Sequence, residues 1–355
     1  MYCARRRPAT GGPYDRRVIE IPRELVASLL SYGEESGRAL VAELPGRAEE
    51  FLARWGLRID GRSLHGRVSL VLPVVRADGT PAMLKLQGRD EETEGEWLAL
   101  RTWAGDGAAL LLEHDADTGT LLLERVVPGR HLSSVADARA ATRTLAGLLA
   151  RLSAVPAPAG LRRLSDLTDR MLERVADTVP LPAGDGERRL LLDCAAAVRE
   201  VAGEPGDRLL HWDLHFDNVL AGEREPWLAI DPKPLAGDPG FELMPALWNR
   251  FAPQDVLWRF DLLTEALGLD RERARAWTLG RVLQNGLWAC EGAGDGPVRL
   301  DAALVSVART LLARRAGRAR PPPPRTPTAR SGAPGPASRP AHAPGRARAP
   351  RSADR

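Results

Sequence analysis

Lysine is almost absent from this chain. Of 50 basic residues only Lys85 and Lys233 are lysines, so charge is carried elsewhere by arginine, and a retained lysine marks a position needing a compact point charge rather than a planar fork. Cysteine is scarce too. Cys3, Cys194 and Cys290 lie far apart with no Cys-x-x-Cys pair, which excludes a disulfide framework and points to reduced thiols in a cytoplasmic protein. No apolar run approaches the roughly 18 to 20 residues of a membrane span, and Arg5, Arg6 and Arg7 have no apolar stretch behind them, so neither membrane insertion nor secretion is expected. Positive charge is missing from most of the chain despite a pI near 9.0. Residues 318–355 hold nine arginines and one aspartate, a net +8 against the whole chain's +3, which leaves the body before them at about −5. Nucleic-acid binding therefore does not follow from the pI, and the mildly acidic body is compatible with a cationic small substrate.

What is present is enough for a substantial core: 355 residues, 44% of them hydrophobic. Residues 1–17 lack apolar periodicity and read as a frayed start. Leu25, Val26, Leu29 and Leu30 predict a helix from Pro22 to about Tyr32, and Phe51, Leu52 and Trp55 predict a second one beginning after Pro45. Ser69 to Arg76 and Pro81 to Leu86 read as strands joined by an Asp78-Gly79 turn, which places Lys85 on the returning strand between Leu84 and Leu86. A helix over Glu91 to Ala104 follows, in which Glu92 and Glu96 share a face and Glu96 is the better partner for Lys85. Only Gly66 is available for a phosphate-covering turn before the hairpin. Two further strands end in Glu124-Arg125-Val126-Val127-Pro128-Gly129, a breaker-rich exit suited to a hinge whose backbone reads an adenine. The second half is mainly helical, over 135–155, 161–179, 188–201, 254–267, 271–290 and 299–315. Beyond Gly317, ten of the 29 prolines fall in an Ala, Pro, Arg and Ser mixture that cannot form a core.

One polar loop stands between apolar segments: His211-Trp-Asp213-Leu-His-Phe-Asp-Asn218, followed by Val219-Leu220 and, behind Trp227-Leu-Ala-Ile230, by Asp231. An isolated Asp-x-x-x-x-Asn is common in polar hairpins. Here the upstream His, the apolar flanks and Asp231, 13 residues after Asn218, reproduce the spacing of a kinase catalytic loop and its metal-binding aspartate. Phosphoryl transfer needs these types: one carboxylate to orient and deprotonate a hydroxyl, with an amide oxygen and a second carboxylate to hold Mg²⁺ against phosphates. Lys233 follows Asp231 by two residues, so both lysines fall beside candidate phosphate chemistry.

Several blocks together carry a family resemblance: Leu84-Lys85-Leu86, Glu96 to Trp103, Leu121 to Arg125 with Pro128-Gly129, His211 to Leu220, and Leu228 to Glu242 with its Asp231-Pro-Lys-Pro run. Over residues 20 to 315 the chain resembles the aminoglycoside and hydroxyurea phosphotransferases, most of all their streptomycin 6-kinase branch. The resemblance implies an α+β, two-lobed protein-kinase-like fold, with an N-lobe over 18–127, a C-lobe over 128–316 and a tail over 317–355. It implies Asp213 as catalytic base, Asn218 and Asp231 as Mg²⁺ ligands, Lys85 as the phosphate lysine with Glu96 beside it, and Glu124 at the nucleotide hinge. Departures are Trp212 and Asp217 where smaller residues are usual, and a Lys85-to-Glu96 separation of 11 residues, shorter than in protein kinases. The expected cofactors are ATP and Mg²⁺ and the expected partner is a small-molecule hydroxyl acceptor, an antibiotic such as streptomycin or hydroxyurea. Asp217, Asp238, Glu242 and Glu291 are candidate contacts to a polycationic acceptor. A kinase of another small alcohol and a catalytically silent nucleotide-binding protein are the alternatives. A monomer is favoured.

Overall fold

The computed structural model describes residues 19–178, 184–292 and 298–316; the expected frayed start and the Pro/Arg-rich tail lie outside them. Helix α1 (Arg23–Tyr32) buries Leu25 and Leu29 one turn apart, and α2 (Glu34–Arg54) buries Gly37, Leu44, Ala48 and Phe51. Contrary to the sequence expectation, α2 starts 11 residues before Pro45 and runs through it. A proline removes one helical hydrogen bond and crowds the preceding turn, but here apolar side chains on both sides of it are anchored in the same core. Gly37 lies so close to α1 that a Cβ would stand 2.5 Å from the Leu29 carbonyl oxygen.

Short strands β1 (Arg58–Ile59) and β2 (Leu64–His65) flank β3 (Ser69–Val75), which pairs antiparallel with β4 (Pro81–Gln87) in the register Val71 opposite Lys85. The turn is closed by the Thr80 amide donating to the Asp78 carboxylate at 2.8 Å, with Gly79 at φ 88°. Strand alternation then divides the residues. Leu70, Leu72, Val74, Ala82, Leu84 and Leu86 join α1 and α2 in a core, while Val71, Met83 and Lys85 take the opposite face, toward a cavity. Helix α3 (Glu96–Trp103) is shorter than expected, because the Asp90 carboxylate takes the amides of Glu92 and Thr93 and holds residues 91–95 in turns. Strands β5 (Leu111–His114) and β6 (Leu121–Glu124) complete a six-stranded antiparallel sheet. The expected breaker-rich exit is itself a strand, β7 (Val126–His131), whose register shift absorbs Pro128 and Gly129.

The remainder is mainly helical: α4 (Ala138–Ser153), α5 (Leu164–Thr178), α6 (Asp185–Val201), α7 (Met244–Trp248), α8 (Val256–Ala266), α9 (Arg271–Gly292) and α10 (Ala302–Ala316). Between α6 and α7 lie β8 (Arg208–Leu210), β9 (Val219–Gly222), β10 (Leu228–Ala229) and β11 (Leu235–Gly237). β9 pairs with β7 and β10, and β8 with β11, so the chemistry-bearing loops leave two small sheets set among helices. Helix α9 is buried on nearly every side, and Gly280 and Gly286 let it approach Val198 and Leu191 of α6. Among the described residues no helix is long and apolar enough to cross a membrane.

Candidate active site

A cavity of about 1130 Å³ lies between the β3–β4 hairpin and the loops after β8 and β10. Lys85, Glu124, Asp213, Asp217, Asn218 and Asp231 all line it. Lys85 Nζ stands 2.6 and 2.8 Å from the two Glu96 carboxylate oxygens and 2.5 Å from Asp231 Oδ1. Gln87 Nε2 donates to Glu96 at 2.6 Å, so the buried glutamate is fixed from two sides. Burial alone would lower the Lys85 pKa, but the Asp231 and Glu96 carboxylates hold it above the ordinary value and the side chain stays cationic. Glu92 lies on the turn before α3, and Glu96 is the helix residue that meets Lys85.

Asp231 has φ 57°, an uncommon conformation for a residue with a side chain and one met at functional sites. Three contacts hold it there. The Ile230 amide donates to the Asn218 carbonyl at 2.9 Å, the Lys233 amide donates to the His211 carbonyl at 2.9 Å, and His211 Nε2 lies 2.9 Å from the Ile230 carbonyl. Despite its burial, which would raise its pKa, Asp231 is kept ionised by Lys85 and Lys233, the latter 3.9 Å away. Burial pushes the His211 imidazole down to about 3, so it is neutral, donates through Nε2 and accepts the Asp213 amide at Nδ1, 3.4 Å away. One imidazole thus ties the Asp213 loop to the Asp231 strand.

Asp213 differs from its neighbours in having an unengaged carboxylate: among the described residues no hydrogen-bond donor reaches it, and His215 Nε2 is 4.0 Å away. Its pKa is raised by burial and drawn back in part by His215 and Arg281. The Asn218 amide nitrogen donates to the Asp213 carbonyl at 2.9 Å, and among the described residues the amide oxygen of Asn218 is left unengaged.

The acidic residues expected at the acceptor are dispersed. Asp217 lines the cavity but accepts Asn249 Nδ2 at 2.8 Å. Asp238 caps the turn before Phe241 through the Gly240 amide and pairs with Arg273 at 2.6 Å. Glu242 is fully buried beneath the loop, where it accepts the His211 amide at 2.9 Å, and burial raises its pKa to about 8. Glu291 pairs with Arg174. The last three side chains do not line the cavity, because internal cations or backbone amides have taken their charge. The Glu124 carboxylate is likewise taken up by the Leu110 amide and Arg224, both at 2.7 Å, and its own amide donates to the Leu110 carbonyl at 2.9 Å, so neither group is free for a nucleotide.

Residues not singled out from the sequence also line the cavity: His131, His215, Trp248, Arg281 and Asn285. For Arg281 the signal was faint: apolar residues recur on every side of its helix, but nothing set it apart from the other arginines.

A sheet-rich part and a helical part, with a Lys–Glu pair facing an Asp/Asn loop and a second Asp across one cavity, form the layout of a protein-kinase-like phosphotransferase. A thermostable mutant of an aminoglycoside phosphotransferase, solved in ternary complex with ADP and hygromycin B, shares this fold. It has a TM-score of 0.54 and 14% identity, covering 76% of this chain and 99% of that one. A family model described as aminoglycoside/hydroxyurea antibiotic resistance kinase matches residues 54–293. A hydroxyurea phosphotransferase of Kitasatospora aureofaciens is 63% identical over 299 residues, 84% of this chain and 87% of the relative. A streptomycin 6-kinase of Streptomyces glaucescens is 55% identical over 303 residues, 83% of this chain and 98% of the relative. The chain belongs to the aminoglycoside/hydroxyurea antibiotic resistance kinase family.

Proposed function

We propose that this protein is a cytoplasmic phosphotransferase that moves the γ-phosphoryl group of ATP to a hydroxyl of a small-molecule antibiotic, of the streptomycin or hydroxyurea kind, and so confers resistance. The observation that carries the reading is the unengaged, half-buried Asp213 carboxylate, facing the same cavity as Lys85 and Asp231. In the reaction the acceptor oxygen bonds to the γ-phosphorus, the bond from that phosphorus to the bridging oxygen breaks, ADP leaves, and the hydroxyl proton passes to Asp213. Asp213 orients the hydroxyl, and its raised pKa makes it a better base than an ordinary aspartate. Lys85, kept cationic and aimed by Glu96, is placed to offset charge on the phosphates. Most of the rate then comes from positioning and electrostatics.

Among the described residues no cluster of three or more His, Cys, Asp or Glu is arranged to hold a metal by itself. Donors that fit Mg²⁺ are present nonetheless: the free amide oxygen of Asn218 and the ionised carboxylate of Asp231 are hard oxygens, and Mg²⁺ is ordinarily held by one or two such groups plus substrate phosphates. When bound there, the ion would neutralise phosphate charge. ADP release measured with ATP and Mg²⁺ across streptomycin, other aminoglycosides and hydroxyurea tests the proposal. Release that depends on one of these acceptors is the expected result, and nucleotide binding without acceptor-dependent release would remove the antibiotic from the account.

A further inference from the structure

Arg281 lines the cavity from the helical side, yet it is 93% buried and, among the described residues, makes no hydrogen bond or ion pair; its Nε and Nη1 are sealed from solvent without partners there. Its guanidinium stacks 4.5 Å from the ring centroid of Trp212 and also lies over Phe241 and Trp288, at 5.9 and 5.3 Å. A buried cation without an anion is destabilising, and aromatic faces repay only part of that. A group kept in this state next to a reactive carboxylate is a candidate for ligand contact. It stacks on Trp212, the residue before Asp213, whereas Lys85 and Lys233 stand against Asp231, so Arg281 lies beside the base rather than beside the phosphate lysine.

Of the four acidic residues expected at a cationic acceptor, only Asp217 lines the cavity, and it already accepts an amide; the other three are engaged away from it. Asp217 holds Asn249, Asp238 holds Arg273, Glu242 holds the His211 amide and Glu291 holds Arg174. A guanidinium-bearing acceptor whose hydroxyl reaches Asp213 would meet Arg281, a like charge, beside it. An uncharged acceptor with a carbonyl oxygen beside its hydroxyl would meet a free donor instead. Asn285, one turn further along α9, adds a neutral amide to the same wall.

We infer that Arg281 determines acceptor specificity by donating to a carbonyl oxygen of the acceptor, and that the site is built for an uncharged N-hydroxyamide of the hydroxyurea type rather than a guanidinium-bearing aminocyclitol. The inference rests on the proposed phosphotransfer for its catalytic meaning, but its binding claim stands separately. Trp212, the bulky residue where a smaller one is usual, then has a role: in its left-handed conformation, φ 65°, it presents a ring on which the guanidinium rests.

The test uses Arg281→Met and Arg281→Lys in the full chain, with hydroxyurea and streptomycin binding followed by saturation-transfer NMR, alongside KM for each acceptor and for ATP. For Arg281→Met the expected result is a loss of hydroxyurea affinity of about tenfold or more, as for a lost hydrogen bond to a charged donor. KM for ATP should stay within about twofold, streptomycin binding should be unchanged or stronger, and the melting temperature should be no lower, because an unpaired buried charge has been removed. Arg281→Lys keeps the charge but not the fork and is expected to fall between. Unchanged hydroxyurea affinity in Arg281→Met would overturn the inference, as would a rise in KM for ATP alone, which would assign Arg281 to the phosphates. Binding of hydroxyurea that depends on Arg281 in a protein that phosphorylates nothing would support this inference and refute the proposed function.

Discussion

Asp213 and Lys85 sit in one cavity but are held in opposite ways. Lys85 is bound by two carboxylates, whereas the Asp213 carboxylate is left without a donor. Replacing Asp213 with Asn removes the base but keeps the shape, and the expected loss in kcat is about 10²- to 10⁴-fold with little change in KM for ATP. The acid limb of the wild-type rate profile should fall above that of a free aspartate, because burial raises the pKa of the group that must be ionised. A limb at the value of a free aspartate, about 4, would contradict this. Glu242 has a different pH signature. Its folded pKa of about 8 exceeds the unfolded value of 4.5, so its contribution to stability is complete below the unfolded value and is lost as pH rises through the folded one. Glu242→Gln keeps an oxygen for the His211 amide but cannot titrate. The variant should gain on wild type, by up to a few kcal/mol, as melting is followed from about pH 5 to pH 8.5; a difference that does not change with pH would refute the assignment. Rarity made some of this legible: with two lysines in the chain, Lys85 stood out. The opposite held for Arg281, one arginine among dozens. Nor did charge alone show that Asp238 meets Arg273, 35 residues away, since only tertiary packing brings them together.

Helices and strands were easier to read than their ends. The β3–β4 hairpin followed from β-branched residues, leucines and an Asp-Gly turn, and its register put Lys85 opposite Val71 on the cavity side. Pro45 misled because its local cost is outweighed by the shared burial of Leu44, Ala48 and Phe51. Asp90 misled in the other sense, by drawing amides out of what looked like the first turn of α3. The α1–α2 crossing depends on Gly37, whose missing Cβ would strike the Leu29 carbonyl, a backbone group with little freedom to move. Gly37→Ala should therefore destabilise the protein by about 1 to 3 kcal/mol. Its checks are a lowered melting temperature and a largely unchanged KM for the acceptor, since neither Gly37 nor Leu29, where the two helices cross, lines the cavity. A stability equal to wild type would show that the two helices can separate freely.

Across the whole molecule, the apolar pattern indicated strands early and helices late, and the two-lobed α+β architecture came from the family resemblance, whose motifs are recognisable because phosphoryl transfer imposes a fixed set of residue types at fixed spacings. Acceptor recognition was not legible, since it depends on which charges remain unpaired after folding. The cavity and its functional groups all fall before residue 318, so a chain ending at Gly317 is expected to keep wild-type kcat and melting temperature; loss of turnover would assign the arginine-rich tail a part in catalysis. The most direct test of the central claim is to incubate wild type and Asp213→Ala with ATP, Mg²⁺ and each acceptor, and to follow the acceptor itself by phosphorus NMR and mass spectrometry. The account predicts a phosphorylated antibiotic with wild type and little or none with the variant. Equal product from both proteins, or ATP consumed by wild type with no phosphorylated acceptor, would contradict it.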